Sequence, residues 1–268
     1  MTDIQAKLKE LQAQGKEVPA LDMIKTPEQI EKIRLAGKLN TAALDLIGKF
    51  IKVGVKTEDI DRKVHDFIIS QGGRPADLGY DGYPKSICTS VNDVICHGIP
   101  SAYALKSGDI INVDITTELN GYYADASRMY MVGRVSKQAA DLVNITRECM
   151  RRGIQAAQAW NTTGDIGAAV SALAHKHGYS IMKEYGGHGV GLAIHEDPFV
   201  CHEGKKGEGT VLVPGMIITI EPMINEGTDK WYEAGQDNWE VFTADGKLSA
   251  QWENTILITE HGPEILTE

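Results

Sequence analysis

One order of elements occurs twice along these 268 residues: a long helix, a shorter helix, then a run of strands. The first copy opens at Thr26-Pro27-Glu28-Gln29, where Thr26 is a good N-cap, Pro27 suits the first helical position and Gln29 completes a capping box. Apolar residues at Ile30, Ile33, Ala36, Leu39, Ala43, Leu46 and Ile47 keep helical spacing to about residue 50. A second helix is predicted from about 58 to 71, stopping at Gly72-Gly73. In the second copy Ser136 caps a helix from 137 to about 159, and the stretch from Asn161 to Gly167 opens another that ends near His177-Gly178. Thr57-Glu58-Asp59-Ile60 and Thr163-Gly164-Asp165-Ile166 stand in matching places, 106 residues apart. Strand-like segments follow each pair: 86–96, 109–117 and 122–132, then 180–184, 193–201, 216–224, 238–243 and 250–258. The repeat restricts the chain to two related α+β halves facing each other, with a natural place for a site at the seam.

Five residues able to bind metal interrupt or border these segments: Asp114, Asp125, His188, Glu221 and Glu253. If Asn120-Gly121 makes a two-residue hairpin turn, positions summing to 241 face each other. Asp125 then lies opposite Thr116 and Asp114 opposite Ser127, so the two aspartates are diagonal neighbours on one sheet face, roughly 7–8 Å apart. Ile110, Ile111, Val113 and Ile115 make the first of these strands apolar on both faces, which buries Asp114. His188 sits among glycines in Gly186-Gly187-His188-Gly189, Glu221 follows Ile217-Ile218-Thr219-Ile220, and Glu253 precedes Asn254-Thr255-Ile256. Taken singly, each has an ordinary structural reading as a salt-bridge partner or turn histidine. Taken together they do not. Two unit charges 4 Å apart repel by about 4 kcal/mol at an effective dielectric near 20, so four clustered carboxylates must bind protons or cations. Two divalent ions balance them, and an oxygen-rich set with one imidazole suits Mn, Fe, Co or Zn. Such a pair activates water, which implies hydrolysis.

The rest of the chain narrows the classes. A net charge of −10 argues against a surface built for nucleic acid. The four cysteines, Cys88, Cys96, Cys149 and Cys201, form no C-x-x-C pair, so neither a zinc finger nor a disulfide framework is expected. The N-terminus lacks a basic region followed by an apolar one, and no run is long enough to span a membrane; a cytoplasmic protein with no membrane association is expected. Residues 1–24 read as an N-terminal extension, with Ile4, Leu8 and Leu11 on one face of a helix ending near Pro19 and serving as a peripheral arm.

Gly82–Pro100, the strand pair holding Asp114 and Asp125, Gly186–Gly191, Ile220–Asn225 and Ser249–Ile256, in this order, resemble methionine aminopeptidases of type I, members of the pita-bread metallohydrolase superfamily. The resemblance runs from about residue 24 to the end. It implies a single catalytic pita-bread domain over 25–268, with pseudo-symmetric halves at about 25–133 and 134–258 and a central antiparallel sheet covered by helices. It implies removal of the initiator methionine from nascent chains, with a small second residue preferred, and two divalent metal ions per chain. By position, Asp114 would bind one metal, Asp125 and Glu253 would bridge both, and His188 and Glu221 would complete the other shell, with Glu221 also the general base. His97 and His195 match the family's substrate-contacting histidines. Tyr80, Tyr83, Cys88, Trp239 and Ile194 would line the methionine pocket; Asp77 and Ile194 depart from the pattern, standing where relatives carry cysteine and phenylalanine. The partners implied are nascent N-termini, transient ribosome contact and no specific nucleic acid, with a monomeric state. Two other readings compete. A proline-specific peptidase of the same superfamily usually carries a large extra N-terminal domain, and a non-catalytic binding protein on the same fold characteristically loses ligands that this chain keeps.

Overall fold

The computed structural model describes residues 3–235 and 238–268, so the first two residues of the N-terminal extension lie outside it. Helix α1 spans Asp3–Ala13, and the chain turns away at Gly15, in the left-handed region at φ +79°. The helix therefore ends before the predicted limit near Pro19. It is also no loose arm. Leu8 is buried and Ile4 and Leu11 pack beside it on a core that includes Met150 and Ile154, while the Lys7 ammonium sits 3.7 Å over the Trp160 ring.

In the first half, α2 (Pro27–Gly48) begins with the capping box: Gln29 N donates to Thr26 Oγ1 at 3.3 Å and Thr26 N to Gln29 Oε1 at 2.8 Å. Its buried face carries Ile33, Ala36, Leu39, Ala43, Leu44 and Ile47. Each large apolar side chain buried there stabilises by about 1.5–3 kcal/mol. Helix α3 (Thr57–Ser70) joins the same core through Ile60, Val64 and Ile68. Strands β1 (Arg74–Pro75), β2 (Cys88–Val91), β3 (Val94–Cys96), β4 (Ile110–Leu119) and β5 (Tyr122–Met131) follow. The β4–β5 hairpin has the register expected from its turn, Thr116 opposite Asp125 and Asp114 opposite Ser127. Asn120 at φ +54° and Gly121 at φ +82° give the two positive dihedrals that a tight type I′ turn needs.

The second half repeats the order with α4 (Lys137–Ala156), whose cap Ser136 accepts from Ala139 N, and α5 (Thr163–Lys176), where Thr162 N donates to Asp165 Oδ2 at 2.9 Å. Its strands are β6 (Ser180–Ile181), β7 (Gly187–Gly189), β8 (Glu196–Val200), β9 (Ile217–Ile220), β10 (Met223–Asn225), β11 (Trp231–Ala234), β12 (Glu240–Thr243), β13 (Ser249–Gln251), β14 (Asn254–Thr259) and β15 (Gly262–Ile265). Pairing between these strands is antiparallel, in four ladders: β4 flanked by β5 and by β1 and β2; β13-β10-β6; β11-β12-β3; and β15-β14-β9-β7-β8.

Three predicted strands are each split, the 86–96 segment into β2 and β3, which pair in different ladders. The 216–224 segment breaks at Glu221-Pro222, between β9 in the five-stranded ladder and β10 in a three-stranded one. Proline has no N–H to give a ladder, so the break falls where the chemistry demands it. The 250–258 segment breaks at Trp252-Glu253 between the same two ladders. Both glutamates thus stand where the chain changes sheets. The halves are joined beside them. Asp125 N donates to Thr255 Oγ1 at 3.0 Å, Thr255 Oγ1 returns a bond to Asp125 O at 2.7 Å, and Asn112 Nδ2 reaches Gln251 O at 2.8 Å. Among the described residues no helix is long and apolar enough to cross a membrane.

Candidate metal centre

The five sequence-selected donors meet at one cavity of about 430 Å³, lined by Asp114, Asp125, His188, Glu221 and Glu253 together with His97, His195 and aromatic residues. Asp114 and Asp125 come from the first half, the other three from the second. Asp125, Glu221 and Glu253 are buried at 6%, 6% and 2% exposure, whereas Asp114 keeps partial access to the cavity, less than full burial. Donor atoms of Asp125, His188 and Glu253 lie within 4.8 Å of one another.

Each donor is held in a different way. Asp125 Oδ2 accepts the Thr116 hydroxyl at 3.0 Å, and Glu221 Oε1 accepts the Thr219 hydroxyl at 2.7 Å. Gln251 Nε2 donates to Asp114 Oδ2 at 3.2 Å and lies 3.4 Å from Glu221 Oε2. His188 Nδ1 is 2.9 Å from the Gly189 carbonyl, which fixes the proton on that nitrogen. Nε2 is left with its lone pair towards Glu221 Oε1 at 3.5 Å and Asp125 Oδ2 at 3.9 Å. Flanking glycines allow this approach: a Cβ on Gly187 would lie 2.3 Å from Thr219 O, and one on Gly189 2.2 Å from Asp197 O. Gly187→Ala is therefore expected to cost about 1–3 kcal/mol and to weaken metal uptake in step, read from denaturant midpoints and metal titration.

The electrostatics define what belongs in the gap. Burial first, then Asp77, pushes the Asp114 carboxyl up to about 7. Burial likewise holds Asp125, Glu221 and Glu253 well above the usual carboxylate range, with neighbouring carboxylates adding to it. Burial, then His195, pulls His188 down to about 3, so its imidazole is neutral and able to coordinate. Asp125 Oδ1 and Glu253 Oε1 are buried without a hydrogen-bond partner. Orphaned carboxylate oxygens facing a neutral imidazole fit a divalent cation.

Around the donors, His97 adopts φ +57° and its ring lies 5.3 Å from that of Tyr185 and 6.0 Å from that of Trp239. Burial, then His195, lowers it to about 4. The His195 ring is 4.4 Å from that of His188, and its Nδ1 is 2.8 Å from the Tyr80 hydroxyl. Tyr80, Tyr83, Cys88 and Trp239 line the cavity, with the Tyr83 and Trp239 rings 5.2 Å apart. Ile194 does not line it. That side chain turns into the protein at 7% exposure, and Phe199 stands on the cavity wall. Asp77, noted in the sequence only as a departure in pocket shape, is a fifth carboxylate beside the cluster: it accepts Thr116 N at 3.1 Å and lies 3.0 Å from Thr116 Oγ1. Sequence reasoning also missed His202, whose buried Nε2 accepts the Glu221 N–H at 3.1 Å. Neither stands in a pattern that spacing could expose.

A duplicated α+β chain with carboxylates and one imidazole converging at its seam has the architecture of a metal-dependent hydrolase. The pattern of metallopeptidase family M24 matches residues 31–260. Methionine aminopeptidase A of Synechocystis sp. is 48% identical over 242 residues, covering 89% of this chain and 94% of that protein. The methionine aminopeptidase of Escherichia coli K12 is 44% identical over 246 residues, covering 91% and 93%. The crystal structure of methionine aminopeptidase from Rickettsia prowazekii superposes with a TM-score of 0.90 at 44% identity, covering 91% of this chain and 99% of that one. The chain belongs to family M24 and, within it, to the pita-bread methionine aminopeptidases, hydrolases that remove N-terminal methionine with the aid of divalent metal.

Proposed function

We propose that this enzyme removes the initiator methionine from nascent cytoplasmic proteins by hydrolysis at a dinuclear centre, preferring a small second residue. The observation that supports it most is the donor set: four carboxylates, one neutral imidazole and two orphaned buried oxygens on facing halves. Asp114, Asp125, His188, Glu221 and Glu253 would hold two divalent ions, drawn from Co, Mn, Fe or Zn. When bound, such a pair supplies Lewis acidity and a strong nucleophile at neutral pH. Glu221 takes the proton from the attacking water and passes it to the leaving amine. His97 and His195, kept neutral by burial, hydrogen-bond the scissile amide and the oxygen that develops charge on it. The methionine side chain packs against Tyr80, Tyr83, Cys88 and Trp239, where aromatic edges and sulfur suit a thioether. A bulky second residue would meet the histidine side of the cavity.

The deciding experiment incubates metal-loaded enzyme with Met-Ala-Ser, Met-Leu-Ser and Ala-Pro peptides. Release of methionine from the first far above the second supports the proposal; equal release from both removes the size preference, and cleavage confined to Ala-Pro removes the substrate. His97→Ala is expected to slow turnover by about 100-fold while metal content stays near about two ions per chain. Loss of metal in that variant, measured by elemental analysis, would put His97 in the coordination shell instead.

A further inference from the structure

Lys25 lies in the linker just before α2, with only 2% of its side chain exposed, and its ammonium meets Glu196 Oε2. An ammonium stripped of water needs such a partner, and deleting either charge strands the other. The carboxylate has a second task. Glu196 Oε1 accepts the backbone N–H groups of Leu192 at 2.6 Å and Ala193 at 3.2 Å. It thereby closes the turn between β7 and β8, whose last residue is His195.

The base of this turn is tightly seated. At Gly191, φ +135°, an added Cβ would lie 2.4 Å from Ile33 Cδ1 and 3.6 Å from Lys25 Cε, and Tyr123 N donates to Gly191 O at 2.9 Å. Lys25 is itself anchored, its N–H donating to Gly215 O at 2.9 Å beside a bridge between Ile24 and Met216. Linker, turn and the approach to β9 form one unit. His195 projects from its end towards Tyr80 and His188.

We propose that Lys25 and Glu196 are positioning residues for His195, so that the segment ahead of α2 sets the alignment of a substrate-contacting group. This rests on the reading of His195 given above. Lys25 draws the Glu196 carboxylate inward, and that carboxylate draws in the two N–H groups that shape the turn. Without the ammonium, Glu196 is pulled towards solvent and the turn loosens where His195 leaves it. A shift near 1 Å in a positioned group costs up to about 100-fold in rate.

The test is a double-mutant cycle on the full-length, metal-loaded enzyme. Lys25→Met, which keeps the stem and deletes the charge, is expected to lower kcat about tenfold with KM within about twofold and metal content unchanged. Lys25→Arg should restore most of the rate. In a His195→Ala background the same Lys25→Met change should lower kcat by less than about twofold, because its target is gone. Equal losses in both backgrounds would make Lys25 a general structural residue and overturn the proposal, as would an undiminished kcat in Lys25→Met. Wild-type turnover by His195→Ala alone would instead overturn the reading of His195. If Lys25→Met does not fold, Glu196→Gln carries the cycle, since it keeps an acceptor for the turn and loses the ion pair.

Discussion

Glu221→Gln is expected to lose about 100- to 10,000-fold in kcat, the range that a general base supplies, while keeping its fold. The substitution preserves volume and an acceptor for the Thr219 hydroxyl, 2.7 Å away in the native chain. The backbone bond from Glu221 N to His202 is untouched. What is lost is the charge that accepts a proton. Methionine release from a Met-Ala-Ser peptide, with circular dichroism and metal analysis on the same preparation, separates this from misfolding. Because the native carboxylate is buried and held above its ordinary range, the metal-free variant should be at least as stable as metal-free wild type. Turnover near the native rate would remove Glu221 as the base.

Stripping the metal is expected to make stability fall as pH rises. Burial, with Asp77 behind it, raises the Asp114 carboxyl from 3.8 to about 7 in the folded state. The folded protein then holds a proton that the unfolded chain releases near pH 4. Stability linked to that proton is complete below about pH 4 and is lost progressively as pH climbs to about 7. Asp77, raised to about 8 by burial and then Asp125, extends the loss upward, and Asp125, Glu221 and Glu253 act in the same sense. Divalent ions replace those protons, so the loaded enzyme should lack this decline. Unfolding free energies from urea titrations of chelated and loaded protein at about pH 5.5, 7 and 8.5 should diverge by a few kcal/mol, at about 1.4 kcal/mol for each pH unit over which one such proton is lost. Chelated protein that gains stability over this interval would mean that the carboxylates ionise without cost, and the cluster would need another explanation.

The features legible in the sequence are those that local spacing encodes. The Thr26 capping box, the matched Thr57 and Thr163 helix starts and the 241 register of the Asn120-Gly121 hairpin depend on near neighbours, and each has its counterpart in the fold. Strand breaks were less readable. Ile217–Asn225 is apolar on both sides of Glu221, and nothing in its pattern says that the chain changes ladders there, although Pro222 was a clue. Helix α1 stops at Ala13 because Gly15 turns the chain, while its docking against Met150 and Ile154 depends on residues far along the sequence. The donors could be chosen because a carboxylate in a buried strand is costly wherever it stands. Thr116, Thr219, Gln251 and His202, which aim those donors, are ordinary polar residues until the fold brings them near. Ile194 shows the converse: its neighbour His195 reaches the cavity, while Ile194 is buried and does not line it.

The division of donors between halves also bears on how the protein is made. Asp114 and Asp125 leave the ribosome on a complete hairpin long before Glu221 and Glu253 are translated. For that interval the nascent chain presents two of the four clustered carboxylates and lacks His188. The full set of five side chains comes together only when β9, β13 and β14 close the seam. An ion held by all five side chains would therefore have to be taken up by the finished fold.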